Sequence, residues 1–198
     1  IDKLNRGESY IRHIDLEQII NTVKNGFTAT NKFNEIANID VILICVPTPL
    51  GPHNEPDLSF IHDTLDTIRP YLRENQLLIL ESTTYPGTTA EEIVPFVESI
   101  TTESQVPNSD SRFIIGENFF IGYSPEREDP GNKHYSTKTI PKVVSGFTPN
   151  CLEITQTLYD QVVDTTVPVS SPRVAEMTKI LENTHRAENI NSNYRQCR

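Results

Sequence analysis

Short apolar runs alternate with amphipathic stretches along this chain. Val41-Ile42-Leu43-Ile44-Cys45-Val46 is a continuous apolar run closed by Pro47-Thr48-Pro49. That is the pattern of a strand buried on both faces and opening into a loop. From Asp57 to Leu72, residues Leu58, Ile61, Leu65, Ile68 and Leu72 recur at helical spacing. Gln76 to Leu80 reads as a second buried strand, followed by Glu81-Ser82-Thr83-Thr84-Tyr85-Pro86-Gly87. Thr88 is placed to cap a helix running to about Ser99. Upstream, Asp15 to Lys24 reads as a helix stopped by Asn25-Gly26. Downstream, Phe119 to Tyr123, Lys142 to Ser145 and Val162 to Val169 read as strands. Thr148-Pro149 and Ser171-Pro172 each open a helix. Thr101 to Asp110 is polar and reads as a surface loop or disordered insertion.

This alternation predicts an α/β fold, a Rossmann-like, mostly parallel sheet whose first strands are missing, followed by a connecting helix. Ligands of such sheets bind at the carboxyl ends of the strands. Three polar loops are expected there: Pro47-Thr48, Ser82-Thr83 and Ser124-Pro125-Glu126. On the final helix, Val174, Met177, Leu181 and Thr184 share one face, with Lys179, Asn183 and Arg186 on another.

Composition narrows the chemistry. A formal net charge of −10 argues against a surface that tracks nucleic-acid phosphates. The longest run of aliphatic residues and cysteine, Val41 to Val46, is far too short to span a bilayer, and no secretory leader is evident. Cys45, Cys151 and Cys197 fit neither a zinc spacing nor a disulfide framework, so reduced thiols and a cytoplasmic setting are expected. The five histidines are scattered, and no metal site is expected. No pair of the eight glycines makes a G-x-G-x-x-G or a P-loop.

Two stretches carry the candidate chemistry. Ser124-Pro125-Glu126-Arg127-Glu128-Asp129-Pro130-Gly131-Asn132 holds a carboxylate in a loop bounded by Pro and Gly. Glu126 is either a general base acting through water or a structural carboxylate paired with Arg127 or Lys133. In Ala175-Glu176-Met177-Thr178-Lys179-Ile180-Leu181-Glu182-Asn183, Lys179 and Asn183 stand one helical turn apart. A cation beside an amide supplies donors for an oxyanion, although solvated helix residues look the same. Arg186 either binds a phosphate or pairs with Glu182. Ser82-Thr83-Thr84 either caps the following helix or offers hydroxyls to a cofactor or a reacting water. Pro47-Thr48-Pro49 is a rigid strand exit or a backbone wall against a ribose.

As ordered strings these segments resemble the nucleotide-sugar 6-dehydrogenases, the UDP-glucose/GDP-mannose dehydrogenase family. The resemblance runs from Asp2-Lys3-Leu4-Asn5-Arg6-Gly7 to Thr184-His185-Arg186-Ala187. Its anchors are Cys45-Val46-Pro47-Thr48-Pro49, Glu81-Ser82-Thr83-Thr84-Tyr85-Pro86-Gly87, Tyr123-Ser124-Pro125-Glu126-Arg127 and the Lys179/Asn183 helix. The Ser-Pro-Glu-Arg-Glu-Asp-Pro-Gly-Asn wording is closest to the branch acting on UDP-N-acetylglucosamine. UDP-N-acetylmannosamine and UDP-N-acetylgalactosamine remain alternatives, as does UDP-glucose.

The resemblance implies oxidation of a sugar C6 alcohol to a carboxylate with NAD as cofactor, through a thioester on a cysteine. It implies that Lys179 and Asn183 stabilise the oxyanion, that Glu126 is the acid/base, and that Thr83 orients the hydrolytic water. Pro47, Thr48, Ser82 and Thr83 would line the NAD site. Arg127, with Glu126, Lys179 and Asn183, would meet the nucleotide sugar. Residues 1–169 are then the remainder of the NAD-binding domain, and 170–198 the start of a connecting and dimerisation helix with a divergent tail. The glycine fingerprint, the catalytic cysteine and the UDP-binding domain of the family are not among these residues. The chain is therefore expected to be an interior fragment without turnover of its own. The rival reading is a non-catalytic, truncated Rossmann-like interaction module.

Overall fold

The computed structural model describes residues 1–8, 14, 16–51, 55–103, 110–126 and 138–196, with side chains of the last helix described through His185. The chain divides into two compact units, Ile1–Glu35 and Ile36–Arg198.

The first unit holds two helices, α1 (Asp2–Asn5) and α2 (Leu16–Lys24). Gly26 takes φ +101° just past α2, the left-handed conformation in which a helix commonly ends. The Asn5 amide grips the backbone of Ala29 in both directions, donating to its carbonyl at 2.9 Å and accepting from its N–H at 2.7 Å.

The second unit is built on a five-stranded sheet in the order β1-β2-β5-β6-β7. Its strands are β1 (Val41–Ile44), β2 (Leu77–Leu80), β5 (Phe120–Tyr123), β6 (Lys142–Gly146) and β7 (Thr166–Pro168). β1, β2 and β5 run parallel. β6 turns antiparallel to β5, with Tyr123 opposite Ser145, and β7 follows β6 in parallel. The sheet is thus mostly parallel, as expected, with one reversal that periodicity alone did not show. Two hydroxyls consolidate that reversal: Ser124 donates to the Val143 carbonyl and Ser145 to the Tyr123 carbonyl, each at 2.7 Å.

Helix α3 (Ser59–Ile68) packs Ile61, Leu65 and Ile68 into the core, as its spacing predicts. That core also takes Leu78 and Leu80 from β2, Phe119 just before β5, and Ile121 and Tyr123 from β5. On the other face, Leu77, Ile79 and Val144 pack with Tyr159 and Val163 under α5 (Pro149–Tyr159). Thr148 caps α5, its hydroxyl accepting from the Cys151 N–H at 3.2 Å.

Three local expectations need correcting. β1 is not buried on both faces: among the described residues it is the outermost strand of the sheet, and Leu43 is 48% exposed. Thr88 does not cap the helix after β2, since its hydroxyl donates to the Tyr85 carbonyl instead. That helix begins as a π-helical turn, Thr89–Ile93, and continues as α4 (Val94–Glu98). Pro95 cannot donate a helical hydrogen bond, and the wider turn before it takes up the mismatch. The stretch read as a loop at Thr101 to Asp110 has paired ends, β3 (Thr101–Glu103) antiparallel to β4 (Asp110–Arg112).

The last helix, α6, runs from Pro172 to Gln196, carrying the helix through the segment read as a divergent tail. Ser171 meets its first turn, with the Val174 N–H 3.4 Å from the hydroxyl. Ala175 and Glu176 are buried, whereas Val174, Met177 and Leu181 are exposed. Among the described residues, no helix is long and apolar enough to cross a membrane.

Candidate functional site

The carboxyl ends of β1, β2 and β5 open onto a cleft of about 210 Å³ lined by Cys45, Val46, Glu81, Ser82, Thr83 and Glu126. Of the residues singled out from the sequence, it brings together Ser82, Thr83 and Glu126. Thr48 stands beside them, its hydroxyl donating to the Thr83 carbonyl at 2.6 Å. Pro47 is exposed between Val46 and Thr48. Arg127 lies outside the described residues.

Ser82 acts on the backbone rather than the next helix. Its buried hydroxyl accepts from the Val46 N–H at 2.9 Å and donates to the Val46 carbonyl at 2.8 Å. It therefore ties the exit of β1 to the exit of β2, and with Thr48 it fixes the floor of the cleft. With both hydroxyls turned onto backbone, these residues present mainly carbon and peptide surface to a ligand.

Helix α6 joins from the side. Lys179, half-buried, donates from Nζ to the Glu126 carbonyl at 2.5 Å. The two stretches that the sequence singled out thus meet. Asn183 stands one turn further along α6 and is exposed. The helix is held by Glu176, whose buried carboxylate accepts from the Gly87 N–H at 2.5 Å, the Thr89 N–H at 2.9 Å and the Thr89 hydroxyl at 2.7 Å. These amides open the helix after β2, where an anion is favoured. Glu176 does there what Thr88 was expected to do.

Beneath the cleft lies a charged cluster that sequence reasoning missed. Glu81 leaves β2 with its side chain 11% exposed, and Lys142 opens β6 at 9%. Lys142 Nζ lies 2.8 Å from Glu81 Oε1 and 3.7 Å from Glu126 Oε2. The Tyr159 hydroxyl, at the end of α5, donates to Glu81 Oε1, and the Cys45 thiol reaches Glu81 Oε2 at 3.4 Å. The ammonium also sits 5.0 Å from the centroid of the Tyr159 ring, within cation–π range.

The antiparallel turn of β6 makes this possible. Extending the Tyr123–Ser145 register by three residues puts Lys142 opposite Glu126. A faint signal was available: Lys142 is a cation directly preceding Val143-Val144, at the mouth of a buried strand.

Electrostatics follow from these contacts. Burial pushes the Glu81 carboxyl up, but Lys142, Tyr159 and Cys45 outweigh it and leave it below its ordinary value. Burial, then the Glu81 charge and hydrogen bond, push the Cys45 thiol up to about 11. Tyr159 is raised by burial and by Glu81. Both groups therefore stay protonated donors at neutral pH. Among the described residues, no group of His, Cys, Asp and Glu is placed to hold a metal ion.

The cleft has an aliphatic wall at Val46, peptide edges at residues 82 and 83, and space for one small ring. A mostly parallel sheet with such a cleft at its carboxyl edge defines a Rossmann-like α/β domain. Residues 1–163 match the NAD-binding domain of the UDP-glucose/GDP-mannose dehydrogenase family, and the chain belongs to that family.

The chain is 40% identical over 172 residues to Protein CapL of Staphylococcus aureus, an alignment covering 86% of the chain and 38% of that protein. It is 35% identical over 191 residues to the UDP-N-acetyl-D-glucosamine 6-dehydrogenase of Pseudomonas aeruginosa, covering 96% and 42%. Among solved structures it resembles the NDP-N-acetyl-D-galactosaminuronic acid dehydrogenase of Methanosarcina mazei Go1. That match has a TM-score of 0.78 at 30% identity, over 94% of this chain and 38% of that one. The chain thus spans about two-fifths of the length of these relatives.

Proposed function

We propose that this chain is the NAD-side part of a nucleotide-sugar 6-dehydrogenase. Its substrate is a UDP-N-acetylhexosamine, UDP-N-acetylglucosamine in the first instance, oxidised at the C6 alcohol to the uronic acid in two hydride transfers. Residues 1–169 are the remainder of the NAD-binding domain and 170–198 the start of the connecting helix. The intact protein is a cytoplasmic homodimer. With neither a glycine fingerprint nor a glycine-flanked cysteine among its residues, this stretch has no turnover by itself.

The observation that carries the reading is the junction of Lys179 with Glu126 beside a cleft lined by Thr83. NAD, when bound, supplies the hydride acceptor. Pro47, Thr48, Ser82 and Thr83 border its nicotinamide side, held rigid by the hydroxyl ties to Val46 and Thr83. Lys179 and Asn183 donate to the sugar-derived oxygen as it gains negative charge. Glu126, half-exposed at the cleft, takes a proton from the hydrolytic water that Thr83 orients. Arg127 contacts the nucleotide sugar. The choice of N-acetylglucosamine is supported by the Ser124–Asn132 wording and by the name of the 35%-identical relative.

The test is NADH formation by the intact protein, given UDP-N-acetylglucosamine and, separately, its manno and galacto epimers and UDP-glucose. UDP-N-acetylglucosamine is expected to give the highest kcat/KM. Glu126→Gln is expected to lower kcat about a hundredfold or more. Preference for another sugar refutes the substrate assignment, and undiminished turnover of Glu126→Gln refutes the role of that carboxylate.

A further inference from the structure

Two carboxylates, Glu81 and Glu126, line the same small cleft, and one nearly buried ammonium serves both. Lys142 Nζ is 2.8 Å from Glu81 and 3.7 Å from Glu126. The two anions are not equivalent. Glu81 is 11% exposed and is also gripped by Tyr159 and Cys45, whereas Glu126 is 47% exposed. Glu81 therefore anchors the cation, and the cation reaches out to the carboxylate nearer solvent.

We propose that Lys142 is a positioning residue for the reaction. Its ammonium, anchored on Glu81 and Tyr159, holds the Glu126 carboxylate turned into the cleft. This rests on the role given to Glu126 under Proposed function.

Two like charges repel each other across the cleft, and an opposite charge between them balances that repulsion and holds both in place. Every element packed around Lys142 bears on that balance. β1 contributes the Cys45 thiol and β2 the Glu81 carboxylate. β5 leads into Glu126, α5 contributes the Tyr159 hydroxyl, and α6 contributes Lys179 on the Glu126 carbonyl. Lys142 is the cation among them that contacts both carboxylates. Without it, Glu126 faces the Glu81 anion with no cation between them, and its carboxylate swings away from the cleft toward solvent.

The experiment combines steady-state NADH formation by the intact protein with the carboxyl-carbon nuclear magnetic resonance signal of Glu126, in protein labelled at glutamate and assigned with Glu126→Gln. In Lys142→Met, kcat is expected to fall about tenfold or more with KM unchanged, and the Glu126 signal is expected to move. Lys142→Arg is expected to restore both. An unmoved Glu126 signal, or a loss as large in Lys142→Arg as in Lys142→Met, overturns the proposal.

Should Lys142→Met fail to fold, Glu81→Gln decides. With the anchor of Lys142 removed, the Glu126 signal is expected to move, and an unmoved signal overturns the proposal. If wild type forms no NADH with any nucleotide sugar, the functional reading fails. The Glu126 signal still decides whether Lys142 positions that carboxylate.

Discussion

The Glu176 carboxylate sits on the Thr89 N–H at 2.9 Å, across 87 positions of sequence. It joins α6 to the helix that follows β2. Lys179, three residues on, is thereby carried to the Glu126 carbonyl. Helix α6 is thus seated through a buried acid beside the core residue Ala175, while Val174, Met177 and Leu181 remain exposed.

Removing that acid tests the seat. Glu176→Ala leaves the Gly87 and Thr89 amides without their acceptor, and is expected to lose about 2–3 kcal/mol of stability. Glu176→Gln keeps one acceptor oxygen and is expected to lose less. Urea unfolding of each variant gives the comparison, and equal stability of Glu176→Ala and wild type would refute this account.

Glu81 sets an acid limit on stability. Its folded-state value lies below its ordinary 4.5, so the carboxylate is bound more favourably in the folded chain. Its contribution is present above the unfolded value and disappears as pH falls through the folded one. The urea midpoint is expected to drop as pH falls below about 4.5, and less steeply in Glu81→Gln. Parallel pH dependence in the two proteins would contradict this.

Cys45 lines the cleft, yet it is a poor nucleophile, because the thiolate that reacts is suppressed by burial and by Glu81. Peptide-resolved alkylation is expected to stay slow at neutral pH and to rise toward a midpoint of about 11. Glu81→Gln removes the adjacent charge and is expected to lower that midpoint. A rate that levels off near the ordinary value of 9.0 in wild type would show that Glu81 does not govern this thiol.

Gly146 fixes how closely α5 approaches β6. A β-carbon there would come within 2.0 Å of the Leu152 nitrogen and 2.4 Å of the Cys151 carbonyl carbon, both backbone atoms that cannot swing aside. Gly146→Ala is expected to cost about 3 kcal/mol, read from its denaturation midpoint. An unchanged midpoint would mean that α5 can shift at no cost.

The sequence by itself determined what depends on near neighbours. The apolar runs at Val41 and Leu77, the spacing of Ile61, Leu65 and Ile68, and the helix openings at Thr148-Pro149 and Ser171-Pro172 all encode contacts within one strand or turn. They located the strands, the helices and the carboxyl edge where Thr83 and Glu126 meet. Only the tertiary structure decided the direction of β6, because no local signal separates a parallel from an antiparallel entry. That direction places Lys142 on Glu81, 61 positions away, and the return of α5 places Tyr159 there from 78 positions away. Thr88 failed as a cap for the same reason. Its competitor, the Glu176 carboxylate, is a stronger acceptor than a hydroxyl, and it is brought there by the packing of a distant helix.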